Sequence, residues 1–156
     1  MKIMPVSDSP WATTGFGTNT RCIASIFADE GHTVGYAGCQ NKEHQAEWET
    51  PWPLGQEDKM VKMEILPLMH PGQEKFGEKS FPQWLEGFQP DLVFTHLDIQ
   101  MFSYMIEAKK PKGVNLPLLN DKEKKMTQRV DEYITARRLS YCDVRIWKNS
   151  NGYGFS

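Results

Sequence analysis

The sequence predicts an α/β protein, a single Rossmann-like domain in which a mainly parallel open sheet carries helices on both faces. Segments with the pattern of strands alternate with amphipathic helical segments along most of the 156 residues. Residues 1–37 follow the order strand, loop, helix, glycine, strand, which is a βαβ unit. The segment DLVFT (residues 91–95) contains the apolar run typical of a strand buried on both faces. A chain of this length can bury its own core, and we predict one domain over residues 1–156.

The N-terminal elements are predicted from a short apolar run, a turn-rich loop and a periodic segment. Residues 2–6 (KIMPV) form the first strand, and a loop rich in Ser, Thr, Pro and Gly follows it. A helix begins near Thr18 or Asn19, either of which can cap it, and Gly31 ends this helix. Residues 33–37 (TVGYA) then form the second strand.

The middle of the chain contains a polar stretch, a strand and a helix. Residues 40–55 are polar and rich in Trp and Pro, so we expect a long excursion or flexible loop. Residues 61–68 (VKMEILPL) at first alternate apolar and charged side chains, as an exposed or edge strand does. Residues 80–88 form a helix capped by Ser80. Its apolar side chains recur at helical spacing: Phe81, Trp84, Leu85 and Phe88.

The last third of the chain continues the alternation of strands and helices. After the buried strand at residues 91–95, Asp98 can cap a helix. The apolar positions of that helix are Ile99, Phe102, Met105 and Ile106. Residues 114–118 predict a further strand, residues 126–134 a helix, and residues 144–147 (VRIW) the last strand.

Composition and charge restrict the class of protein. Cys22, Cys39 and Cys142 are odd in number and widely spaced, which is typical of free thiols in a reducing compartment. No stretch approaches about 18 consecutive apolar residues, and no apolar leader begins the chain, so we expect a cytoplasmic protein without a transmembrane segment. Residues 107–148 carry an excess of Lys and Arg within a net charge of −2. This basic region is either a solvated helix face or a contact for phosphates, an anionic membrane surface or an acidic partner; no nucleic-acid motif accompanies it.

The strongest candidate for a ligand site is the glycine-rich loop after the first strand. In open parallel sheets, ligands bind beyond the carboxyl ends of the strands. Gly15 and Gly17 allow a close backbone approach, and the following helix points its positive end toward a ligand, for which phosphate is the natural choice. The spacing excludes a dinucleotide fingerprint and a P-loop. The alternative is that the two glycines only help the loop to turn.

His96 and Asp98 form the second candidate site, just past the buried strand. Alternate residues at a strand end point the same way, so both side chains can face the cleft. A histidine near a carboxylate suits hydrogen bonding to a sugar or polarisation of a leaving group. The alternative is that Asp98 is a helix cap and His96 a satisfied polar residue. The remaining histidines have no ligand spacing, so we expect no metal.

Three segments, taken together, resemble the N-terminal domain of GT-B glycosyltransferases, particularly the large retaining family 4. The family opens with a strand, a glycine-rich loop, a helix and a "GHxV" sequence before the second strand, and residues 31–34 (GHTV) match the last piece. FQPDLVFTHLD resembles the "kPDvvhxHd" segment, and YCDVRIWKNSNGYG resembles the "aDvviavSxyg" segment. The matches occur in family order and cover most of the chain outside residues 40–77.

The resemblance implies the acceptor-side domain of a retaining, hexosyltransferase-type enzyme that uses a nucleotide-sugar as donor substrate, with no cofactor and no metal. His96 matches the histidine that contacts the donor sugar, and Asp98 is its neighbour in the catalytic cleft. The residues implied to bind donor or acceptor are Gly15, Phe16, Gly17, Thr18, Asn19, Asn149 and Ser150. The last two would stand near the crevice between two domains.

The chain also departs from the family. It ends at Ser156, before the C-terminal domain that supplies most nucleotide contacts, and it has Lys148 and Asn149 where the family prefers an apolar residue before Ser150. We therefore expect a truncated product or half of a split enzyme, inactive alone, whose partner is the missing domain or a second copy. The alternatives are a stand-alone ligand-binding or regulatory module with the same cleft, and a partner-binding domain that uses the basic region and exposed aromatics such as Trp11 or Trp147.

Overall fold

The computed structural model describes residues 1–53, 58–69, 76–98, 100–101, 104–105 and 144–148. The elements are β1 (Lys2–Asp8), α1 (Gly15–Asp29), β2 (Thr33–Cys39), β3 (Gln45–Pro51), β4 (Met60–Pro67), α2 (Ser80–Phe88), β5 (Leu92–His96) and β6 (Val144–Lys148). They build a six-stranded sheet in the order β3-β4-β2-β1-β5-β6. The four inner strands run parallel, and β3 and β6 pair antiparallel at the two ends. The predicted α/β, Rossmann-like fold is confirmed.

The two faces of the sheet are covered by different helices, as predicted. Neighbouring β1 side chains point to opposite faces: Ile3 belongs to the core under α1, and Met4 belongs to the core under α2. The first core consists of Ile3, Cys22, Ile23, Ala24, Phe27, Val34, Tyr36, Trp52, Val61, Met63, Ile65, Leu92 and Phe94. The second consists of Met4, Val6, Ala37, Cys39, Leu66, Leu68, Phe81, Phe88, Val93, Leu97 and Met105.

Helix α1 begins earlier than predicted. Its N-cap is Thr14, whose hydroxyl accepts a hydrogen bond from the Gly17 N–H at 3.1 Å, so neither Thr18 nor Asn19 is the cap. The predicted end at Gly31 is confirmed. Gly31 has φ +81°, and the N–H groups of Gly31 and the next residue donate to carbonyls in the last turn, as in a Schellman motif.

The polar stretch at residues 40–55 contains a strand, so the prediction of a long excursion or flexible loop is wrong. β3 is polar because it ends the sheet and exposes one face, where Lys62 Nζ lies 3.1 Å from Glu49 Oε1 and 3.5 Å from Glu47 Oε2. On the opposite face, Trp48 packs against the α1 core. Because β3 pairs with the outer side of β4, β4 lies inside the sheet. The prediction that residues 61–68 form an exposed or edge strand is therefore wrong as well.

Helix α2 covers the residues predicted for it. Its N-cap is Lys79 without a side-chain cap bond, and Ser80 is the first helical residue, so the predicted Ser80 cap is wrong. The helix lies close to the sheet because Gly35 has no side chain. A Cβ built on Gly35 would lie 2.7 Å from two ring carbons of Phe88, so any larger residue there would displace the helix or the ring.

The C-terminal strand β6 confirms the predicted strand at residues 144–147. It runs antiparallel to β5, with Val144 opposite His96 and Lys148 opposite Leu92. Residues 100–101 and 104–105 are helical, within the helix predicted after Asp98. The strand predicted at residues 114–118 and the helix predicted at 126–134 lie outside the described residues.

Among the described residues, no helix is both long enough and apolar enough to cross a membrane. The two cysteines in this part of the chain, Cys22 and Cys39, are buried free thiols. Both belong to the hydrophobic cores, Cys22 under α1 and Cys39 under α2.

Candidate functional site

The candidate site lies where the strand order reverses. β2 pairs with one side of β1, and β5 pairs with the other side, so the connections leave β1 in opposite directions. In doubly wound sheets, ligands bind at this switch point, beyond the carboxyl ends of the strands. Asp8, Cys39 and His96 end the three strands there, and the N-terminus of α1 stands above them.

Asp8 and Thr14 form the centre of this edge. The Thr14 hydroxyl donates to Asp8 Oδ2 at 2.6 Å while it accepts the Gly17 N–H, so the carboxylate is held close to the start of α1. Asp8 is 7% exposed. Asp8 was not predicted as a site residue, because the predicted first strand ends at Val6. The signal available was its position in the SDS run directly after that strand.

The two glycines have different roles. A Cβ on Gly17 would lie 2.8 Å from the Ser9 carbonyl oxygen and 3.0 Å from that of Ala12, whereas a Cβ on Gly15 would meet nothing within 4 Å. Gly17 therefore allows α1 to pack on its own preceding loop, and Gly15 stands beside open space. Both glycines belong to the first turn of α1 rather than to a loop in front of the helix.

Phe16, Thr18 and Asn19 are half-buried within the first turns of α1. The Thr18 N–H donates to the Thr14 carbonyl at 3.0 Å and so is bonded within the protein. The ring of Phe16 packs edge-on against the ring of His96, with centroids 5.2 Å apart. This contact brings the predicted histidine beside the predicted glycine-rich segment.

His96 lies beneath α1 and is 5% exposed. Its Nδ1 is hydrogen-bonded to the Thr20 hydroxyl at 3.1 Å, and its carbonyl accepts from the Ser7 hydroxyl at 2.9 Å. Burial lowers the pKa of His96, and the charge of Asp8 opposes this shift. At neutral pH the ring is therefore uncharged. We call Ser7, Thr20 and His96 the His96 network.

Tyr36 and Cys39 also reach this edge from β2. The Tyr36 hydroxyl donates to the Asp8 carbonyl at 2.8 Å, which ties the ends of β1 and β2 together. Burial raises the pKa of the Tyr36 phenol and that of the Cys39 thiol. Both groups stay protonated at neutral pH, so neither Tyr36 nor Cys39 offers an anionic nucleophile here.

Of the other predicted site residues, the structure describes Asp98 alone. Asp98 is exposed, and its carbonyl accepts the Met101 N–H at 2.8 Å in a turn. Asn149 and Ser150 lie outside the described residues. β6, which precedes them in sequence, ends with Lys148 opposite Leu92, at the edge of the sheet far from Asp8.

An open cavity of about 210 Å³ lies beside Asp8, which we call the Asp8 cavity. Ser9, Trp11, Ala12 and Thr14 line it from the β1–α1 loop, and Cys39 and Gln40 line it from the end of β2. Trp11 is 45% exposed and packs edge-on against Trp48. Gln40 has φ +59°, a left-handed conformation that is uncommon for residues other than glycine. Trp11 was predicted as an exposed aromatic of a partner-binding surface, and Gln40 was not predicted in any site.

The described lining of the Asp8 cavity combines one carboxylate with uncharged polar and aromatic side chains. Among the described residues that line the cavity, Asp8 is the only charged one. No group of three or more metal-ligating side chains occurs within the described residues. The arrangement offers hydrogen-bond acceptors, a flat aromatic surface and little room, since cavities for drug-sized ligands measure about 300–1,000 Å³.

Comparison of this chain with protein-family models, with curated proteins and with solved structures finds no match. Function is therefore inferred from the geometry of the site and from the sequence resemblance.

Proposed function

We propose that this chain is the acceptor-side domain of a retaining, nucleotide-sugar-dependent glycosyltransferase of the GT-B type. The observation that carries the proposal is the grouping of Asp8, Thr14 and Gly15 beside a cavity at the sheet's switch point. The match of residues 31–34 and of the FQPDLVFTHLD segment to that family supports it from the sequence.

In this proposal the residues of the edge have separate roles. Gly15 leaves room for the donor diphosphate or the acceptor to approach the backbone. His96, uncharged and fixed by Thr20, is the proposed contact to the donor sugar. The exposed fraction of His96 is small, so this contact needs a shift of Phe16, whose ring covers it.

The volume of the Asp8 cavity supports the proposal that this chain forms only part of a nucleotide-sugar site. A nucleotide-sugar contains a base, a ribose, a diphosphate and a sugar, and about 210 Å³ encloses only a part of it. We propose that a second domain or a partner chain encloses the remainder. The chain alone is then expected to bind a nucleotide-sugar weakly and to transfer no sugar.

The test is a titration of the ¹⁵N-labelled full chain with UDP-glucose and with GDP-mannose, followed by NMR. We expect weak, saturable shifts at the signals of Asp8, Thr14, Gly15 and Phe16. Gly15→Val should abolish them, whereas Gly87→Val should leave them unchanged. Gly87 is a matched control because it also lies in a helix, and a Cβ there also meets nothing within 4 Å. Absence of any shift at these residues would overturn the proposal.

The second candidate is a stand-alone module that binds or senses a small ligand. Seven residues from the end of β1, the following loop and the end of β2 line the cavity, so this domain already provides a surface for a small ligand. This candidate predicts that a small ligand binds the chain with micromolar affinity, without gain from any added domain. Millimolar binding that tightens with a supplied domain favours the transferase instead.

A further inference from the structure

We propose that the outer edge of β3 binds an extended segment of a partner protein in which basic and apolar residues alternate. The segment pairs antiparallel with β3 and continues the sheet. No described residue of β3 lines the Asp8 cavity, so this surface is independent of the proposed function. Three features of β3 support the assignment: free backbone groups, the charges on one face and an aromatic side chain on the other.

β3 leaves backbone hydrogen-bonding groups free along its outer edge. It ends the sheet, and among the described residues only β4 pairs with it. In an antiparallel ladder, every second residue exchanges both backbone bonds with the neighbouring strand, and the residues between them point away. The Trp52 N–H donates to the Lys59 carbonyl at 3.0 Å, in the register of the β3–β4 ladder. Thr50, two residues earlier, therefore bonds β4, and the N–H and C=O groups of Glu49 point outward.

The two glutamates of β3 lie on the face of the sheet away from α1. Their partner Lys62 stands between Val61 and Met63 of the core under α1, so Lys62 points to the opposite face. Its Nζ lies 3.1 Å from Glu49 Oε1 and 3.5 Å from Glu47 Oε2, which places both carboxylates on that face. These side chains are 47% and 73% exposed, respectively. One ammonium group thus serves two accessible carboxylates, and a further basic side chain is attracted to them.

The like charges exclude a second copy of this chain as the added strand. In an antiparallel pair of two β3 strands, Glu47 and Glu49 of one copy would face the same residues of the other, which is destabilising. Pro51 has no N–H, and the register on β4 shifts between Gln45 and Trp48, so the regular edge is also short. A partner with Lys or Arg opposite Glu49 replaces the repulsion by attraction, because Cβ atoms of opposite residues are about 4.5–5.5 Å apart.

Trp48 determines which residues alternate with the basic ones. Its side chain is half-buried against the core under α1, and the ring of Trp11 packs edge-on against it, with centroids 6.2 Å apart. The partner residue opposite Trp48 lies on this face of the sheet, one position from the residue opposite Glu49. Valine or isoleucine there packs against the indole, and such pairs of aromatic and β-branched residues stabilise sheets.

The experiment is an NMR titration of the ¹⁵N-labelled full chain with the peptide acetyl-TKVKVKT-amide. We expect weak, saturable shifts at the backbone signals of Trp48, Glu49 and Thr50, and none with acetyl-TEVEVET-amide. Added salt should weaken the binding, because the charges are exposed. Glu49→Lys should weaken it about fivefold, since attraction becomes repulsion. Glu86→Lys makes the same change of charge at an exposed position of α2 and serves as the control.

Two N-methylated peptides test the backbone pairing while the protein stays unchanged. In the proposed register, the lysines lie opposite Glu49 and point their backbone N–H groups at β3, whereas those of the valines point away. Methylation of the lysine backbone nitrogens should abolish the shifts, and methylation of the valine backbone nitrogens should leave them.

Three results would overturn the inference: no response at residues 48–50, equal binding of the basic and acidic peptides, or equal losses for the two methylated peptides. Analytical ultracentrifugation of the unmodified chain adds a fourth. A concentration-dependent dimer that shifts the signals of residues 48–50 would assign this edge to a second copy and contradict the basic partner.

Discussion

The His96 network and the Asp8 cavity lie side by side at one edge of the sheet, yet they use their polar groups in opposite ways. In the network, His96 is 5% exposed, and its Nδ1 and carbonyl are both hydrogen-bonded within the protein. In the cavity, Asp8 Oδ1 and the Gln40 amide have no partner within the described residues. Satisfied polar groups stabilise a fold, whereas unsatisfied ones beside an open space are available to a ligand. Substitutions in the His96 network should therefore change stability, and substitutions at the Asp8 cavity should change ligand binding.

The largest effect on stability should come from substitution of Gly17, in the first turn of α1. Gly17→Val should lower the free energy of unfolding by about 3 kcal/mol, because its Cβ would lie 2.8 Å from the Ser9 carbonyl oxygen. Gly15→Val should change it by less than about 0.5 kcal/mol, since nothing lies within 4 Å of that Cβ. Urea unfolding measures both. Equal losses for the two variants would show that Gly17 has no special packing role.

The next largest effect on stability should come from removal of the buried His96 ring. His96→Ala should lower the free energy of unfolding by about 2 kcal/mol, because it leaves the Thr20 hydroxyl buried without its partner. Thermal unfolding followed by circular dichroism measures the loss. Gln40→Ala, on the cavity side, is the matched control and should leave stability almost unchanged. A stable His96→Ala protein would remove the distinction between the network and the cavity.

The cavity side should include a substitution that stabilises the fold. Gln40→Gly should raise the free energy of unfolding by about 1 kcal/mol, because glycine adopts φ +59° without a Cβ clash. Urea unfolding measures the gain in stability. A loss of stability on this substitution would mean that the Gln40 side chain serves the fold.

The smallest effect should be the pH dependence that His96 gives to the free energy of unfolding. Burial lowers the pKa of His96 below its ordinary value of 6.5, so the unfolded chain binds a proton more readily than the folded chain. The contribution of His96 to stability is therefore complete above pH 6.5 and declines as the pH falls below it. Urea unfolding between about pH 5 and pH 8 should show a shallower decline for His96→Gln than for the unmodified chain. Parallel curves would contradict the assignment of a buried neutral ring.

Sequence patterns identified most of the parallel sheet because strong apolar runs and periodic helices dominate it. The βαβ unit at residues 1–37, the helix at residues 80–88 and the buried strand before His96 were all predictable. β3 was not, because an edge strand with an exposed face needs few apolar residues, and QAEWETP resembles a loop. The position of β3 in turn decides that β4 lies inside the sheet.

The sequence predicted side chains that meet at the carboxyl ends of the strands, but it did not predict all the groups that line the cavity there. Gly15, Phe16 and His96 were predicted and do lie together. Asp8 was missed because a strand end shifted by two residues hides it in a polar run. Gln40 reaches the cavity through the pairing of β1 with β2, and no local pattern reports such a contact between distant residues. Trp11 lies in the β1–α1 loop itself, and its exposure was predicted but not its place beside Asp8.

The order of the strands has a consequence for synthesis of the chain. β1 pairs with β2 on one side and with β5 on the other, but residues 92–96 leave the ribosome long after residues 33–39. At about 5–20 residues per second, the free edge of β1 waits for several seconds. During that interval the nascent βαβ unit presents an apolar, unpaired strand to its surroundings, the kind of edge on which chains aggregate. The central position of the first strand therefore determines how long this edge stays unpaired during translation.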